Sequence, residues 1–292
     1  MNGDDEVILD PVPACGMEWV NAAISGKASM PARNNARAQE PSNRSLERGL
    51  RILRVFRPGL SVLGNSEIAD STGLPRSTVS RLTQTLVACG FLQHDERANA
   101  YRLGPPVLSL TEALLSSCEV LQAASPLMRE LVNKLQVNVS LTMADQLEMV
   151  YLESMWHRSI SPTRRRRIGR RTPMERTAFG RAHLATLQPG ERRLLMNEFR
   201  RRHPENWKTV REDIQTAILD VADKGYCTAD TWLQGVTAIA TPIVTSNRHP
   251  YVLGISGPTS LFNSNRIRNE LLPPFLKAAQ ELREQTRKSG QT

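Results

Sequence analysis

The sequence lacks the patterns that mark several large classes of protein. It contains no run of about eighteen apolar residues, so nothing in it predicts a transmembrane helix. Its first residues include Asp4, Asp5 and Glu6, where a signal peptide has a basic region followed by an apolar stretch. We therefore expect a cytoplasmic protein with no membrane partner.

Cysteines are few, and the common catalytic motifs are missing. The four cysteines lie far apart, with no C-x-x-C pair and no histidine at ligand spacing; they are Cys15, Cys89, Cys118 and Cys227. This pattern favours reduced structural thiols and predicts neither a metal site nor a cofactor. The motifs G-x-S-x-G, G-x-G-x-x-G, H-E-x-x-H and the P-loop do not occur, so we expect no enzyme. An enzyme acting on a small carboxylic acid is the alternative from a different class.

Positive charge is abundant but unevenly placed. The net charge is +9 and the pI is about 9.9, which favours a nucleic-acid partner. Residues 45–104 hold eight arginines against five acids, whereas residues 156–211 hold sixteen basic residues against four acidic ones. The densest part is Arg164 to Arg167. That cluster is open to three interpretations: a solvated loop, a phosphate contact, or a field that attracts anionic ligands.

The length and the local patterns predict two domains behind a tail. Residues 1–44 show no sustained periodicity and are expected to be disordered. We expect a winged helix-turn-helix domain at 45–104, a linker helix at 105–118 and an α+β domain with a mainly antiparallel sheet at 119–290. Helices are predicted at about 45–57, 66–72, 75–89, 106–117, 119–135, 174–187, 191–202, 210–224 and 264–288. Strands are predicted at 91–93, 101–103, 138–144, 147–155, 226–229, 235–244 and 251–256.

Local signals set several of these boundaries. Ser45, Ser66 and Thr209 are the predicted helix caps, the last in capping-box register with Glu212. Pro273 and the proline after it should kink or split the last helix.

The stretch 65–89 carries the strongest motif. Two helices that cross steeply need a small residue at the crossing, a turn residue that tolerates positive φ, and apolar residues pointing back from the second helix. Counting Asn65 as the first position, these requirements are met at the fifth, ninth, fifteenth and eighteenth positions by Ala69, Gly73, Val79 and Leu82. Because a predicted β-hairpin follows, the pattern indicates a winged helix-turn-helix. An ordinary helical hairpin is the alternative.

The face of the second helix opposite Val79 and Leu82 is the predicted DNA-reading surface. Its polar residues are Arg76, Ser77, Thr78, Ser80, Arg81 and Gln84. Arginine in the major groove can pair with guanine, and short hydroxyls can reach bases or phosphate. Arg97, Asn99 and Arg102 of the hairpin should meet backbone phosphate or the minor groove. The alternative is a polar face that touches only solvent or phosphate.

The organisation resembles the IclR family of bacterial transcription regulators from Ser45 to the last helix. The stretches that carry the resemblance are SLERGLRIL (45–53), GLPRSTVSRLTQTLVACGFL (73–92), YRLG (101–104), TAFGRAHLA (177–185), GYC (225–227), GVTAIATPI (235–243) and VLGISGP (252–258). The winged helix is common to many regulators. The occurrence of TAFGRAHLA together with the downstream GVTAIATPI and GISGP stretches is specific to this family. The arginine cluster is not part of the family pattern.

The resemblance implies a GAF-like effector-binding domain that takes a small organic acid. It also implies a homodimer built through the DNA-binding domains and the linker helix, which can pair further into a dimer of dimers. Carried over residue by residue, the effector-binding residues are Ala178, Phe179, Asp230, Ala238, Gly254 and Ser256. Ordinary core packing is the alternative for each.

We therefore expect a regulator that binds a pseudo-palindromic operator in double-stranded DNA, with an affinity or activity changed by the acid. Repression and activation both stay open. A regulator that needs no ligand is the alternative within the same class.

Overall fold

A computed structural model describes residues 43–157, 168–230, 232–245 and 250–288. They form two compact units that divide between Leu108 and Ser109. The predicted tail up to residue 42 and the arginine cluster at 164–167 lie outside the described residues.

The first unit is a helix-turn-helix followed by a β-hairpin. Its elements are α1 (Arg44–Val55), α2 (Asn65–Thr72), α3 (Arg76–Ala88), β1 (Leu92–Asp95) and β2 (Ala100–Leu103). The two strands are antiparallel, and an isolated bridge between Leu63 and Tyr101 adds a third extended segment beside β2. The apolar core joins all three helices to the hairpin through Ile52, Ile68, Val79 and Leu92. The predicted winged helix-turn-helix is confirmed.

Both predicted helix caps in this unit are wrong. Asn43 caps α1 instead of Ser45, because its Oδ1 accepts hydrogen bonds from two amides of the first turn at 3.1 and 3.2 Å. Gly64 precedes α2 instead of Ser66, because the Glu67 carboxylate reaches back and accepts a 2.7 Å hydrogen bond from the Gly64 amide. Each serine therefore lies inside its helix.

The helix α4 (Pro106–Ser116) comes next in the chain, in the stretch predicted as a linker helix, and the division between the two units falls within it. The second unit then contains α5 (Glu119–Leu135), β3 (Asn138–Asp145), β4 (Glu148–Met155), β5 (Arg171–Pro173), α6 (Ala178–Thr186), α7 (Pro189–Arg202), α8 (Trp207–Lys224), β6 (Cys227–Ala229), β7 (Val236–Val244) and β8 (Pro250–Pro258). The six strands form one antiparallel sheet in the order β5-β4-β3-β8-β7-β6. The α+β class with an antiparallel sheet is confirmed.

Two helix starts in this unit differ from the prediction. The helix expected from Met174 begins at Ala178, because Thr177 is its cap and accepts a hydrogen bond from the Gly180 amide at 3.2 Å. The residues just before this turn form β5, which was not predicted. The helix expected from Val210 begins at Trp207, so the predicted Thr209 cap is wrong.

The last helix contains a π-turn just before the two prolines that were predicted to kink or split it. A short helix α9 (Ser264–Arg266) leads into a π-turn (Ile267–Leu271), and α10 (Leu272–Lys288) follows. Pro273 thus follows just after the π-turn, in a backbone that stays helical through Leu272.

The two faces of the sheet pack against different helices. Leu253 and Ile255 of β8 point to a core shared with α5 and α10. Val252, on the opposite face, points to a second core shared with α6, α7 and α8. The alternation along β3, β7 and β8 therefore gives each face of the sheet its own core.

No single helix in the described ranges is long and apolar enough to span a membrane. Within these ranges, α4 and α5 taken together have the length and apolar composition of a membrane-spanning segment, but the two helices are bent by 76° at the break between them.

Candidate nucleic-acid interface and effector site

The turn between α2 and α3 is fixed by backbone conformation and by one buried threonine. Gly73 has φ of 67°, a left-handed conformation that side chains resist. The Thr72 hydroxyl donates to the Ile68 carbonyl at 2.7 Å and accepts from the Leu74 amide at 3.3 Å. The direction in which α3 leaves the turn is therefore set locally.

A group of polar side chains lies between α3 and the hairpin. The Thr83 hydroxyl lies 3.0 Å from the Val79 and Ser80 carbonyls and 3.4 Å from Asn65 Oδ1, and Asn65 Nδ2 lies 3.5 Å from the Tyr101 hydroxyl. Thr83 is fully buried and Tyr101 is nearly so. These three positioning residues were not predicted. The available signal was a threonine four residues after Val79, on the inward side of α3.

The predicted DNA-reading residues are placed on α3 as follows. Arg76, Ser77, Arg81 and Gln84 are exposed, and Thr78 and Ser80 are half-buried. At about 100° per residue, four of them share an arc of roughly 100°: Arg76, Ser77, Ser80 and Gln84. Arg81 lies at the edge of that arc and lines a groove between α1 and α3.

The hairpin places its polar residues at a tight turn. Arg97 and Asn99 are exposed there, and Asn99 has φ of 46°, which asparagine tolerates. The Asp95 carboxylate accepts hydrogen bonds from the Ala98 and Arg97 amides at 3.2 and 3.1 Å, and from the Arg102 guanidinium at 2.5 Å. The Ala98 hydrogen bond and the Arg102 charge hold the pKa of Asp95 below its usual value. Arg102, predicted to contact DNA, is therefore already paired with an acid that was not predicted.

Apolar surface is exposed on α1 and on α4. The groove between α1 and α3 measures about 550 Å³, and its lining includes Leu46, Leu50, Leu82, Leu86 and Cys89. Leu46 is 60% exposed and Leu50 is 53% exposed. In α4, no residue is buried.

In the second unit, the first turn of α6 lies over the sheet. A Cβ added to Gly254 would come within 2.5 Å of the Phe179 ring, so this ring stands directly above the β8 backbone. Tyr151 flanks the ring, with centroids 5.6 Å apart. The Cys227 thiol donates to the Ala178 carbonyl at 3.4 Å, and burial raises the pKa of this thiol to about 12.

Two rows of side chains face α6 across the strands. The outer row runs from β6 to β3 and consists of Ala229, Ala238, Ser256 and Asn138. The inner row runs from β6 to β4 and consists of Cys227, Ala240, Gly254, Ser140 and Ser154. In the inner row, the hydroxyls of Ser140 and Ser154 form a 2.8 Å hydrogen bond.

Five of the six predicted effector residues meet at these rows and at the start of α6. They are Ala178, Phe179, Ala238, Gly254 and Ser256. The sixth, Asp230, follows Ala229 at the end of β6 and is exposed. Asn138, Ser140 and Ser154 were not predicted, although β3 alternates polar with apolar residues from Asn138 to Thr142.

A titratable side chain lies inside α6. His183 is 6% exposed, its Nδ1 has no hydrogen-bond partner, and burial lowers its pKa to about 4. The imidazole is therefore neutral at physiological pH. Within the described ranges, no group of three or more His, Cys, Asp or Glu residues could hold a metal ion.

Two known protein domains match this chain, one in each of its two units. The IclR helix-turn-helix domain matches residues 45–96, and the bacterial transcriptional regulator IclR C-terminal domain matches residues 112–284. The chain belongs to the IclR family. The resemblance inferred from the sequence motifs is thereby confirmed.

Relatives of this IclR-family chain are named as transcription regulators, not as enzymes. The HTH-type transcriptional regulator TsaQ1/TsaQ2 of Comamonas testosteroni is 29% identical over 246 residues, which cover 83% of this chain and 88% of that protein. The Pca regulon regulatory protein of Pseudomonas putida is 28% identical, covering 96% of this chain and 97% of the other.

Solved structures share the fold. An IclR family transcriptional regulator from Brucella abortus matches with a TM-score of 0.76 and 35% identity, over 82% of this chain and 91% of that one. An IclR homolog from Microbacterium hydrocarbonoxydans, complexed with 4-hydroxybenzoate, matches with a TM-score of 0.65 and 22% identity, over 83% of this chain and 98% of that one.

Proposed function

We propose that this IclR-family regulator binds a pseudo-palindromic operator as a homodimer in the cytoplasm, and that a small organic acid bound in the second unit changes its operator affinity. The observation that carries the DNA half is the exposed arc of α3. Arg76, Ser77 and Gln84 project from a helix whose other side packs against α2 and the hairpin in the apolar core. A rigidly held polar helix is the arrangement that enters the major groove in helix-turn-helix proteins.

The acid half is supported by the start of α6. The first amides of a helix have no partner within it and favour a negative charge. Ser256, half-buried in the outer row, adds a hydroxyl that can donate to a carboxylate. Neither row contains a lysine or an arginine, so an anion would be held by amides and hydroxyls. The 4-hydroxybenzoate complex of a structural relative supports the capacity of this fold to hold a small organic acid.

The test of this proposal measures operator affinity by fluorescence anisotropy with and without an acid that calorimetry shows to bind. We expect operator affinity to change by a factor of about 5 to 150, because allosteric coupling is typically of that size. An acid that binds and leaves operator affinity unchanged would contradict regulation by that acid.

The role of Ser256 has a matched control. Ser256→Ala should weaken acid binding about fivefold to tenfold and leave ligand-free operator binding intact, since it removes one charge-assisted hydrogen bond. Ser260→Ala, at an exposed turn position, should change neither. Equal loss of acid and operator binding in Ser256→Ala would indicate a folding role.

The proposed dimer is supported by exposed leucines on α1 and α4. These helices lie in the DNA-binding domain and in the predicted linker helix, through which the family resemblance implies a homodimer. Leu46 and Leu50 border the α1–α3 groove, and the α4 residue Leu108 is 74% exposed. Exposed apolar patches of this kind mark interaction sites. A second copy of the chain would cover them.

Sedimentation velocity tests the dimer and also reports any pairing into tetramers. Leu46→Lys with Leu50→Lys should give monomers, whereas Leu219→Lys, on the exposed side of α8, should sediment like the wild type. In a Cys15→Ser background, the exposed Cys89 thiol in the groove should be alkylated faster in the double variant. Dimers in the double variant would refute this interface.

A regulator that needs no ligand is the second candidate, and one observation favours it. Phe179 is 2% exposed and fills the space above Gly254, which leaves only the outer row for a ligand. If calorimetry detects no binding by any acid tested, ligand-independent regulation replaces the acid half of the proposal.

A further inference from the structure

One buried amide in the second unit has an unmet hydrogen-bonding need. Asn138 is 7% exposed, and its Oδ1 has no hydrogen-bond partner. Burying a polar atom without a partner costs stability, so such groups are rare in native proteins. A leucine of similar size would not carry that cost. The amide is therefore available to a molecule that enters the site.

The place of this amide in the sheet indicates what it could meet. Asn138 pairs directly with Ser256 across β3 and β8, so both side chains point to the α6 face. Ser256 is half-buried, so the outer row reaches solvent at that point. One residue pair further along lies the Ser140–Ser154 hydrogen bond. The end of the outer row at β3 is therefore polar and uncharged, while its other end, at β6, is made of alanines.

The inner row is closed to a ligand. The Phe179 ring occupies the space above Gly254, and Tyr151 holds it from the side. A molecule bound in this site must therefore lie along the outer row. With its carboxylate at the first amides of α6 and the Ser256 hydroxyl, its remaining atoms would extend toward Asn138, the cross-strand neighbour of Ser256.

We infer that Asn138 selects an effector that carries a hydroxyl group in addition to its carboxylate, that is, a hydroxy acid. A hydroxyl can donate to the amide oxygen and can also accept from the amide nitrogen, so it satisfies the amide in either orientation. A site built to bond a hydroxyl rejects the analogue that lacks it, because the buried polar group is then left unpaired. This inference rests on the proposed binding of an organic acid at the same site.

The experiment compares acids that differ only by the hydroxyl. Isothermal titration calorimetry on the full chain would use glycolate and acetate, lactate and propionate, 3-hydroxybutyrate and butyrate, and 4-hydroxybenzoate and benzoate. For the pair that fits the site, the wild type should bind the hydroxy acid at least about tenfold more tightly. In Asn138→Leu that preference should fall close to one. Asn133→Leu, at an exposed position of α5, should keep the wild-type preference.

A melting experiment without ligand separates recognition from folding. Because Asn138→Leu removes an unpartnered buried amide, the variant should unfold at the same temperature as the wild type or at a higher one. A lower melting temperature would show that the amide supports the fold and would overturn the inference.

The binding outcomes are also distinct. Acids that bind with no preference for the hydroxyl, or with a preference that survives in Asn138→Leu, overturn the role of Asn138 and leave the proposed organic-acid function standing. Absence of binding by all of these acids at millimolar concentration overturns both.

Discussion

The exposed arc of α3 and the outer row of the second unit are both polar surfaces, but they are held in opposite ways. Arg76, Ser77 and Gln84 stand in solvent on a rigid helix. Asn138 and Ser256 lie on strands of the sheet face that α6 covers, buried and half-buried. Solvent satisfies the first set without a ligand, whereas the buried Asn138 Oδ1 has no partner.

This difference separates two kinds of mutational effect. Replacing an exposed side chain should change binding and leave stability almost unaltered. Replacing a residue of the enclosed surface should change the free energy of unfolding as well, because its neighbours are close-packed. The following predictions test that separation, from the largest expected effect to the smallest.

The second unit, which contains the buried His183, should lose stability in acid. The folded pKa of His183 is about 4, against 6.5 for an unperturbed histidine, so the unfolded chain binds the proton first. Stability should therefore be complete above pH 6.5 and fall by about 3 kcal/mol as the pH drops to 4. Urea unfolding between pH 7 and 4 should show a flatter profile for His183→Gln. The matched control is His94→Gln, on the exposed hairpin. Parallel profiles for the wild type and His183→Gln would contradict the prediction.

On the exposed arc of α3, a substitution should weaken DNA binding without changing stability. Arg76→Ala should weaken operator binding by about 1–3 kcal/mol if the guanidinium pairs with a base, with no change in melting temperature. Arg129→Ala, an exposed arginine on α5, is the control. Anisotropy with operator and scrambled DNA gives the specificity ratio. An unaltered ratio in both Arg76→Ala and Arg81→Ala would exclude base reading by these arginines.

Two glycines sharpen the contrast between the units. Gly254→Ala should lower the free energy of unfolding by about 1–3 kcal/mol, because the new methyl group overlaps the Phe179 ring. An alanine Cβ at Gly49 of α1 has no atom of the same chain within 4 Å, so Gly49→Ala should stabilise the folded unit by about 0.5–1 kcal/mol. Because Gly49 lines the α1–α3 groove, the variant is measured at a protein concentration low enough to give monomers. Urea denaturation measures both. If Phe179→Leu fails to rescue Gly254→Ala, the overlap is not the cause.

The smallest effect concerns two arginines of the hairpin. Each phosphate contact contributes about 0.9 to the slope of log affinity against log salt. Arg97→Gln should therefore flatten the slope by about that amount. Arg102→Gln should flatten it by less, because Asp95 already pairs with Arg102. Asp95→Asn should steepen the slope by releasing the guanidinium. Equal slopes for the two arginine variants would show that the ion pair is irrelevant to DNA binding.

The first unit could be predicted almost completely because its signals are local. Four residues at fixed spacing identified the helix-turn-helix, and Gly73 adopts the expected left-handed conformation. The errors were at caps, where Asn43 and Glu67 compete with nearby serines that look equally suitable. The group of polar side chains from Thr83 to Tyr101 was missed because it joins three separate elements.

The outer row was harder to predict because the local sequence of a strand does not determine which strand pairs with it. The alternation from Asn138 to Thr142 shows that these residues share a face, but not which strand lies beside them. β3 pairs with β8, more than a hundred residues further along the chain. Only that pairing brings Asn138 next to Ser256. The family resemblance supplied Ser256, and nothing in the sequence connected the two.

The fit between Phe179 and Gly254 also limits the order in which this site could change over time. A larger residue at position 254 meets the ring at once, whereas a smaller residue at position 179 merely leaves a space. A larger residue at 254 therefore gains space only after the ring at 179 has become smaller. Descendants of this chain that acquire a deeper site are expected to change first at 179, because the reverse order lowers stability by about 1–3 kcal/mol before any space is gained.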